Sequence, residues 1–570
     1  MADAPEGAAT AGAGEAPAPN RSRVVAAGIL LSRLMGFARQ RAVAHYFGVS
    51  GWADVLVFAL RAPNLLQNLL GEGTLSASFI PVYSRMLAEG RREEAGRLAG
   101  AVFGLLLALA AALALLGVLF AEPIVAVLAS GFLREGEAAV DRYPLAVAAV
   151  RITFPMTGFL VLHAWALGVL NSHRRFFLPY VAPVLWNAAI VAFLVGAGQL
   201  LVAGGVGGPD ARIAGVTRDR LLIAACIGAL VGGALQFLVQ VPLVFRVLSG
   251  FRLTLSTRVE GVRATLRAVG PVVAGRGGVQ LGSYLDVWLA TLLVQGAVAA
   301  LGFAQLLYTL PISLFAMSVA AAELPELSRL GEDGESGRRV ERSLGQIAFL
   351  VVPTAVGYLL FGYLLAGAVF RTGSFGAGST VLVYLVLVAY TVGLPASAAS
   401  RLFQNAFFAL GDTRTPAVVV LQRVLLAAAV AVPAMFALDR AAVPELVPGA
   451  AEEGLRLGAV GLAVGSVAGA WYELVRLLRA LERRGRPVRV PWRRLAAMAG
   501  IAAAAAAPAS LLWYALPDLH PVAAAAPVLG AYAGLYLGAA RLAGLPELGL
   551  WLGRLGRRKG TPDGGGRGSH

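Results

Sequence analysis

Apolar runs long enough to cross a bilayer recur along almost the whole chain, and this feature constrains the fold more than any other. A membrane-spanning helix needs roughly 20 apolar residues, and about fourteen such runs can be counted. Only 14% of the residues are charged, well below the roughly 25% of soluble domains. Strand-type alternation is absent, so the sequence predicts an all-α polytopic membrane protein. The runs lie near 24–47, 54–84, 98–129, 144–171, 177–199, 220–246, 267–295, 298–326, 343–369, 379–409, 416–438, 456–480, 492–516 and 521–543.

The gaps between the runs alternate in basic content. One set is rich in arginine, as at 85–97, 246–267 and 476–494, whereas the other set is short or mixed in sign. The positive-inside rule places the arginine-rich set and both termini in the cytoplasm. The net charge of +16 is explained by these gaps, so we expect no nucleic-acid partner.

A weak internal repeat divides the chain. PVYSR at 81–85 matches PELSR at 325–329, a spacing of about 240 residues, and repeated halves are a common plan of transporters. The repeat predicts two lobes of six helices and two extra helices. The predicted units are a disordered tail (1–20), the first lobe (21–247), a cytoplasmic amphipathic linker (248–266), the second lobe (267–484), the last two helices (485–548) and a basic cytoplasmic tail (549–570). The linker is expected to be either an interfacial helix or a solvated connection.

Charged side chains interrupt the first two runs. Arg33, Arg39 and Arg41 fall in the first run and Arg61 in the second. Such residues cost on the order of 3 kcal/mol or more at the centre of a lone helix, so they usually face a partner or a water-filled cavity. Guanidinium groups there suit an anionic substrate, above all a diphosphate. For Arg41 and Arg61 the alternative is snorkelling to the headgroup layer.

The second run is also broken. Residues 62–81 contain two prolines and two glycines, Gly71 and Gly73, around Glu72. Breaks at membrane depth are tolerated where they line a cavity or pack against protein. We interpret this break as a gating hinge, and the alternative is a static kink.

Other polar residues give weaker signals. Asp286 in the seventh run is expected to pair with Arg276 or to bind a cation, and His163 is expected to be a satisfied interior histidine. In the turn GDTRTP at 411–416, Thr415 is predicted to cap the next helix. With a single cysteine and none of the common catalytic motifs, we expect no metal site, no cofactor and no enzyme.

A resemblance to a known family runs from about residue 21 to 545 and rests on the segments SRLMGFARQRAVAHYFG at 32–48, APNLLQNLLGEGTLSASFIPVYS at 62–84, GVLNSHRRFFLPYVAPVLWN at 168–187, FRTGSFG at 370–376 and FQNAFFALGDTRTPA at 403–417. In these segments the chain resembles the MurJ (MviN) lipid II flippases. The resemblance implies two six-helix lobes in a V, alternating access around a cationic cavity, and a groove for the polyprenyl tail on the last two helices. The implied substrate is the undecaprenyl-diphosphate-linked peptidoglycan precursor, lipid II.

Site residues follow from the resemblance position by position. Arg33, Arg39 and Asp54 match positions in the family's cavity or outer gate, whereas Asn64 and Glu72 match its second-span motif. The predicted substrate-binding residues are Arg33, Arg39, Arg41, Arg61 and Asn64, and the predicted gating residues are Asp54, Gly71, Glu72 and Gly73.

Three positions depart from the family. Gln40 replaces an acidic residue, and Gln67 and Leu306 replace arginines expected to hold the diphosphate. The hypothesis at this point is that Arg41 or Arg276 compensates for the lost charge.

We therefore expect a multi-pass flippase of the bacterial inner membrane, reset by the membrane potential or by a Na⁺ or H⁺ gradient. Its expected partners are lipid II, membrane lipids and cell-wall synthesis proteins. The alternatives are a divergent paralogue that moves another polyprenyl-linked glycan and a non-transporting scaffold of envelope synthesis.

Overall fold

A computed structural model of the chain describes residues 19–134, 140–203, 215–317, 319, 335–443, 454–485, 488–516 and 519–549. Within these ranges it forms eighteen α-helices and no β-sheet. The helices are α1 (Pro19–Phe47), α2 (Gly51–Leu70), α3 (Glu72–Ala88), α4 (Arg92–Leu119), α5 (Ala121–Leu128), α6 (Arg142–Thr153), α7 (Met156–Ser172), α8 (Phe177–Ala203), α9 (Gly215–Leu238), α10 (Val241–Val247), α11 (Val262–Thr291), α12 (Ala297–Pro311), α13 (Glu335–Phe370), α14 (Ala377–Ala409), α15 (Arg414–Leu438), α16 (Gly458–Glu482), α17 (Trp492–Tyr514) and α18 (Pro521–Leu542). The all-α prediction is confirmed.

Eleven stretches of the described chain are helical, long and apolar enough to cross a membrane. Each of them overlaps one of the predicted runs. The other three predicted runs are helical too, as α1, as α2 with α3, and as α11, but these helices carry the charged residues singled out above. The fold is therefore that of a polytopic membrane protein, in which the less apolar helices depend on neighbours to cover their charges.

The predicted break in the second run lies at Gly71. This residue ends α2 and begins α3, and its amide still donates to Gln67 O at 2.6 Å. Pro63 and Pro81, by contrast, lie inside α2 and α3 without ending them. The break is confirmed, and its role as a hinge stays a prediction.

The helices pack as two bundles joined face to face. We call α1–α10 the amino-terminal bundle and α11–α16 the carboxy-terminal bundle. In the first, α8 packs on α1 and α9, and in the second, α16 packs on α14 and α15. The bundles meet where α2 contacts α11 and α12 and where α3 contacts α11. The exact unit boundaries given above stay a prediction.

The last two helices, α17 and α18, pack on α13. Tyr532 and Tyr536 of α18 donate hydrogen bonds to the carbonyls of Pro353 and Phe349, at 2.7 and 2.9 Å. Each buried hydroxyl thus binds a carbonyl of α13 at Pro353 or one turn before it, which keeps the polar groups paired in an apolar setting. Whether this face holds a polyprenyl tail stays a prediction.

The segment that joins the bundles is extended, so the predicted interfacial helix is wrong. Its backbone from Ser249 to Thr254 lies along a stripe on α4 formed by Gly96, Gly100 and Gly104. A Cβ at any of the three glycines would overlap the segment's carbonyl oxygens, so only glycine permits this approach. The segment is not a fully solvated connection either, because it is docked on a helix.

The turn before α15 is also built differently from the prediction. The acceptor that caps the helix is Asp412, whose Oδ1 accepts from the Thr415 amide at 3.0 Å, so the assignment of the cap to Thr415 is wrong. The hydrogen bonds from Thr415, and then the charge of Arg484, lower the pKa of Asp412 below its usual value. The turn is thus held by a carboxylate that stays ionised.

Candidate functional site

Asp54 connects the two bundles at one end of the molecule. Its fully buried carboxylate accepts from the amides of Gly296 and Ala299, at 2.7 and 2.8 Å, and pairs with Arg142 at 3.4 Å. Since Gly296 and Ala299 form the start of α12, a side chain of the amino-terminal bundle caps a helix of the carboxy-terminal bundle. Arg142 in turn lies over the ring of Phe132, at 4.8 Å from its centroid.

The turn between α13 and α14 supplies a second connection at the same end. The amide of Ser374 donates to His45 O at 2.8 Å, and His45 Nδ1 lies 2.9 Å from the Thr372 hydroxyl. Gly48, at φ +60°, brings its Cα so close to the Ser374 carbonyl that a side chain would overlap it. The end of α1 is therefore fitted closely to residues 371–376.

Arg41 completes this group of contacts. Its Nη1 donates to the carbonyls of Ala368 and Val369, at 2.9 and 2.8 Å, in the last turn of α13. A guanidinium at a helix C-terminus is favoured by the helix dipole. In this conformation the Arg41 guanidinium therefore contacts the other bundle. We call Arg41, Asp54, Arg142 and residues 371–376 the inter-bundle latch.

Arg61 lies deeper, ten residues into α2 and thus about 15 Å from its start. Its Nη2 donates to Gln305 Oε1 of α12 at 2.8 Å, and Gln305 Nε2 donates to the Tyr390 hydroxyl of α14 at 3.1 Å. Nearby, the buried hydroxyl of Tyr284 has no hydrogen-bond partner among the described residues. Arg61 does not snorkel, and its charge lies where the two bundles meet.

Asp286 joins the same neighbourhood from α11. The charges that act on it are those of Arg423 and Arg61. We call Arg61, Tyr284, Asp286, Gln305 and Tyr390 the mid-membrane cluster. The predicted partner, Arg276, has its side chain outside the described part of the chain.

Arg39 lies inside the amino-terminal bundle. Its guanidinium stacks over Trp186 of α8, at 4.9 Å from the ring centroid, and its buried Nε has no hydrogen-bond partner within the described ranges. Asn187, beside Trp186, has an unpaired buried Oδ1. An unpaired donor and an unpaired acceptor are therefore left in one interface, which is unusual in a settled core and typical of a place that takes water or ligand.

The remaining predicted residues lie further apart. Arg33 is exposed and donates to the Ser313 hydroxyl at 3.0 Å, in the π-helical turn at 312–316 that follows α12. Asn64 is half-buried on α2, and the side chain of Glu72 lies outside the described residues. His163 is buried against Gln240, 2.5 Å from its Nε2, as expected of an interior histidine.

A cavity of about 730 Å³ opens in the carboxy-terminal bundle, between α11, α14 and α15. Its polar lining includes Asp286, Arg401, Gln404, Thr413, Arg414 and Arg423. Arg423 is fixed by Glu473, which is fully buried and lies 2.5 Å from Arg423 Nη1 and 2.5 Å from Gln404 Nε2.

These carboxy-terminal charges were missed at the level of the sequence. Arg401, Arg423 and Glu473 all fall inside apolar runs, as do Arg39 and Arg61, so the argument that drew attention to the first two runs applied to them equally. Arg142 gave no such signal, because it stands two residues before the run at 144–171, and its pairing with Asp54 emerges only from the fold.

Sequence comparison with known proteins finds one matching family. Residues 43–521 match the family described as lipid II flippase MurJ. The lipid II flippase MurJ of Burkholderia cenocepacia is 31% identical over 394 residues, covering 68% of this chain and 72% of the relative. The probable lipid II flippase MurJ of Bdellovibrio bacteriovorus is 30% identical over 406 residues, covering 70% and 73%.

Solved structures agree on the fold. A lipid II flippase MurJ in an inward closed conformation superimposes with a TM-score of 0.69 at 20% identity, covering 91% of this chain and 99% of the other. An inward-facing multidrug resistance transporter of the MATE family gives 0.55 at 15% identity, covering 81% and 98%.

Proposed function

We infer that this chain, which belongs to the MurJ family of lipid II flippases, moves lipid II across the bacterial inner membrane. It is a transporter and not an enzyme. The observation that carries the inference beyond the family match is Arg61, a guanidinium held at membrane depth where the two bundles meet. A doubly charged diphosphate crossing that interface requires such a group.

We propose that both termini and the arginine-rich gaps face the cytoplasm and that the inter-bundle latch faces the periplasm. The positive-inside rule supports this orientation. The latched conformation is then the one closed to the periplasm, in which lipid II would be taken up from the inner leaflet.

In this mechanism the diphosphate is held by Arg61 and Arg39, with Arg33 near the opening between α1 and the turn at 312–316. The unpaired Nε of Arg39 and hydroxyl of Tyr284 would each donate to a phosphate oxygen. Opening toward the periplasm requires the two Asp54 bonds to α12 and the two Arg41 bonds to α13 to break together. Headgroup binding would supply part of that free energy.

The reset step is proposed to use the membrane potential. Each positive charge that moves across the membrane gains about 2.3 kcal/mol per 100 mV, and this chain places several arginines within its spans. A gradient of Na⁺ or H⁺ is the alternative. Replacement of Na⁺ in proteoliposomes, with and without an imposed potential, separates the two.

The test is lipid II movement in proteoliposomes. Fluorescent lipid II is incorporated with the purified chain, and the fraction reached by a membrane-impermeant quencher is followed over time. We expect the parent to increase that rate and Arg61→Ala to abolish most of the increase, whereas Arg151→Ala, on an exposed face at a distance from the cluster, serves as the matched control.

Two outcomes would favour one of the alternative functions. If the parent moves another polyprenyl-linked glycan but not lipid II, the chain is the divergent paralogue, an alternative motivated by Gln67 and Leu306. If it moves neither, yet restores the growth of cells lacking an envelope-synthesis scaffold, the non-transporting alternative holds.

A further inference from the structure

The cavity in the carboxy-terminal bundle has one basic end and one apolar wall. Arg414 lies where α15 begins, beside Thr413, whereas Arg401 lies on α14 about two turns before that helix ends, and both side chains are exposed. Phe408 and Leu421 line the wall and are 45% and 57% exposed. A charged opening continuous with an apolar wall matches a lipid with an anionic headgroup and not a soluble anion.

The charges in this opening are only partly neutralised. Arg401 donates to Gln404 at 3.3 Å, and neither Arg401 nor Arg414 has a carboxylate within ion-pair distance among the described residues. Arg423, deeper on α15, is held by Glu473 and so cannot turn away from the cavity. The opening therefore presents two guanidinium groups in excess, with a third fixed behind them.

The opposite end of the cavity limits how deeply a phosphate can enter. Asp286 lies there, between Arg423 and Arg61, and its carboxylate repels a phosphate that comes too close. An anion would consequently rest between Arg401 and Arg414, away from Asp286.

We propose that this cavity is an intake site for the diphosphate of the transported lipid, with Arg401 and Arg414 as its ligands and Arg423 behind them. The proposal rests on the proposed function and names residues of the carboxy-terminal bundle that bind the substrate before it reaches Arg61.

Substrate from the membrane enters this site by a direct path. The turn at residues 410–413 lies in a gap placed on the cytoplasmic side in the orientation proposed above, where the inner leaflet carries the lipid. The polyprenyl chain stays against the exposed apolar wall while the diphosphate engages the two arginines, so neither part has to leave its preferred medium.

The test uses native mass spectrometry of the purified full chain in detergent with undecaprenyl diphosphate, phosphatidylglycerol or inorganic pyrophosphate. We expect the double variant Arg401→Gln/Arg414→Gln to retain undecaprenyl diphosphate at least about tenfold less than the parent, because two charge-assisted contacts are lost. Arg440→Gln, an exposed arginine beyond the other end of α15, is the matched control and should retain it fully. Thermal unfolding of each variant checks that it is folded.

Three results would overturn the proposal. Retention of undecaprenyl diphosphate by the double variant at the parental level is the first. An equal loss of phosphatidylglycerol would show a general anionic-lipid surface, and retention of inorganic pyrophosphate as tight as that of undecaprenyl diphosphate would show a site for free phosphate that does not use the apolar wall.

Transport separates this proposal from the proposed function. If the parent moves lipid II and the double variant needs about tenfold more lipid II for half-maximal rate at an unchanged maximal rate, both stand. If the double variant matches the parent at limiting lipid II, the intake site fails while the flippase function stands. If the parent moves no lipid II at all, the proposed function fails first.

Discussion

The inter-bundle latch and the mid-membrane cluster differ in how completely their charged groups are paired. In the latch, the Asp54 carboxylate has two amides and a guanidinium, and Arg41 has two carbonyls. In the cluster, Arg61 has one neutral amide oxygen, and Tyr284 is left with an unpaired hydroxyl. Charges that are fully paired stabilise one arrangement of the bundles, whereas charges that are under-paired remain available to a ligand.

The largest effect should come from breaking the latch at its centre. Asp54→Ala leaves two amides at the start of α12 and the Arg142 guanidinium buried without partners, which costs about 3–5 kcal/mol in the latched conformation. We expect spin labels at Asp141→Cys and Arg440→Cys, both exposed at the latch end, to move apart in pulsed electron resonance measurements. Cys226 is buried and should not take up label.

Asp54→Asn is the control, because an amide oxygen still accepts one hydrogen bond. A smaller increase in the label distance is expected than for alanine. An unchanged distance in both variants would mean that Asp54 does not hold the bundles together.

The next effect should fall on transport and not on the bundle arrangement. Arg61→Ala removes the charge from the mid-membrane cluster and should reduce lipid II movement by about ten- to a hundredfold, equivalent to about 1.4–2.8 kcal/mol. The label distance should stay at the parental value. If Arg61→Ala instead opened the bundles as Asp54→Ala does, the contrast between the two regions would be wrong.

A smaller effect is expected at the edge of the latch. Arg41→Gln loses the charged donor to Ala368 and Val369 and should weaken the latched conformation by about 1–2 kcal/mol, because hydrogen bonds to a charged group contribute that much. Arg41→Lys is the informative partner variant. A lysine retains the charge without the planar fork, so partial rescue is expected in the same label measurement.

The smallest effect is expected at an ion pair outside the spans, which provides a reference for the charges inside them. Asp412→Asn keeps an oxygen that can accept from the Thr415 amide but removes the negative charge paired with Arg484, and should lower stability by up to about 1 kcal/mol at pH 7, measured by thermal unfolding. Because the fold lowers the pKa of Asp412, its contribution is present above the ordinary aspartate pKa and is lost as the pH falls through the lowered value. Parent and variant should therefore converge in acid, and a difference that persisted there would mean that the carboxylate charge is not the cause.

Sequence reasoning found the parts of the fold that depend on local pattern. The spans follow from apolar length, and the break at Gly71 follows from glycine and proline within one run. Burial of Arg39 and Arg61 followed from the cost of charge in a membrane. The contacts of these arginines could not be predicted, because Trp186 and Gln305 are distant in sequence and reach them only through helix packing.

The misses have the same origin. The linker alternates basic and apolar residues as an interfacial helix does, but three glycines four residues apart on α4 offer its backbone a groove. The turn before α15 holds both Asp412 and Thr415, and only the fold shows which of them accepts the hydrogen bond. The local sequence allows more than one structure for each of these segments, and tertiary contacts determine which one forms.

The start of α11 contacts the amino-terminal bundle, although α11 belongs to the carboxy-terminal bundle. Val262 is fully buried among residues of the amino-terminal core, and Glu260 just before it is bound by Arg91 at 2.6 Å. The backbone is docked on α4 as far as Thr254, so the slack between these two fixed points is five residues, at most about 18 Å. The start of α11 should consequently stay with the amino-terminal bundle in any rearrangement, and the largest displacement is expected at the far end, where Asp54 lies.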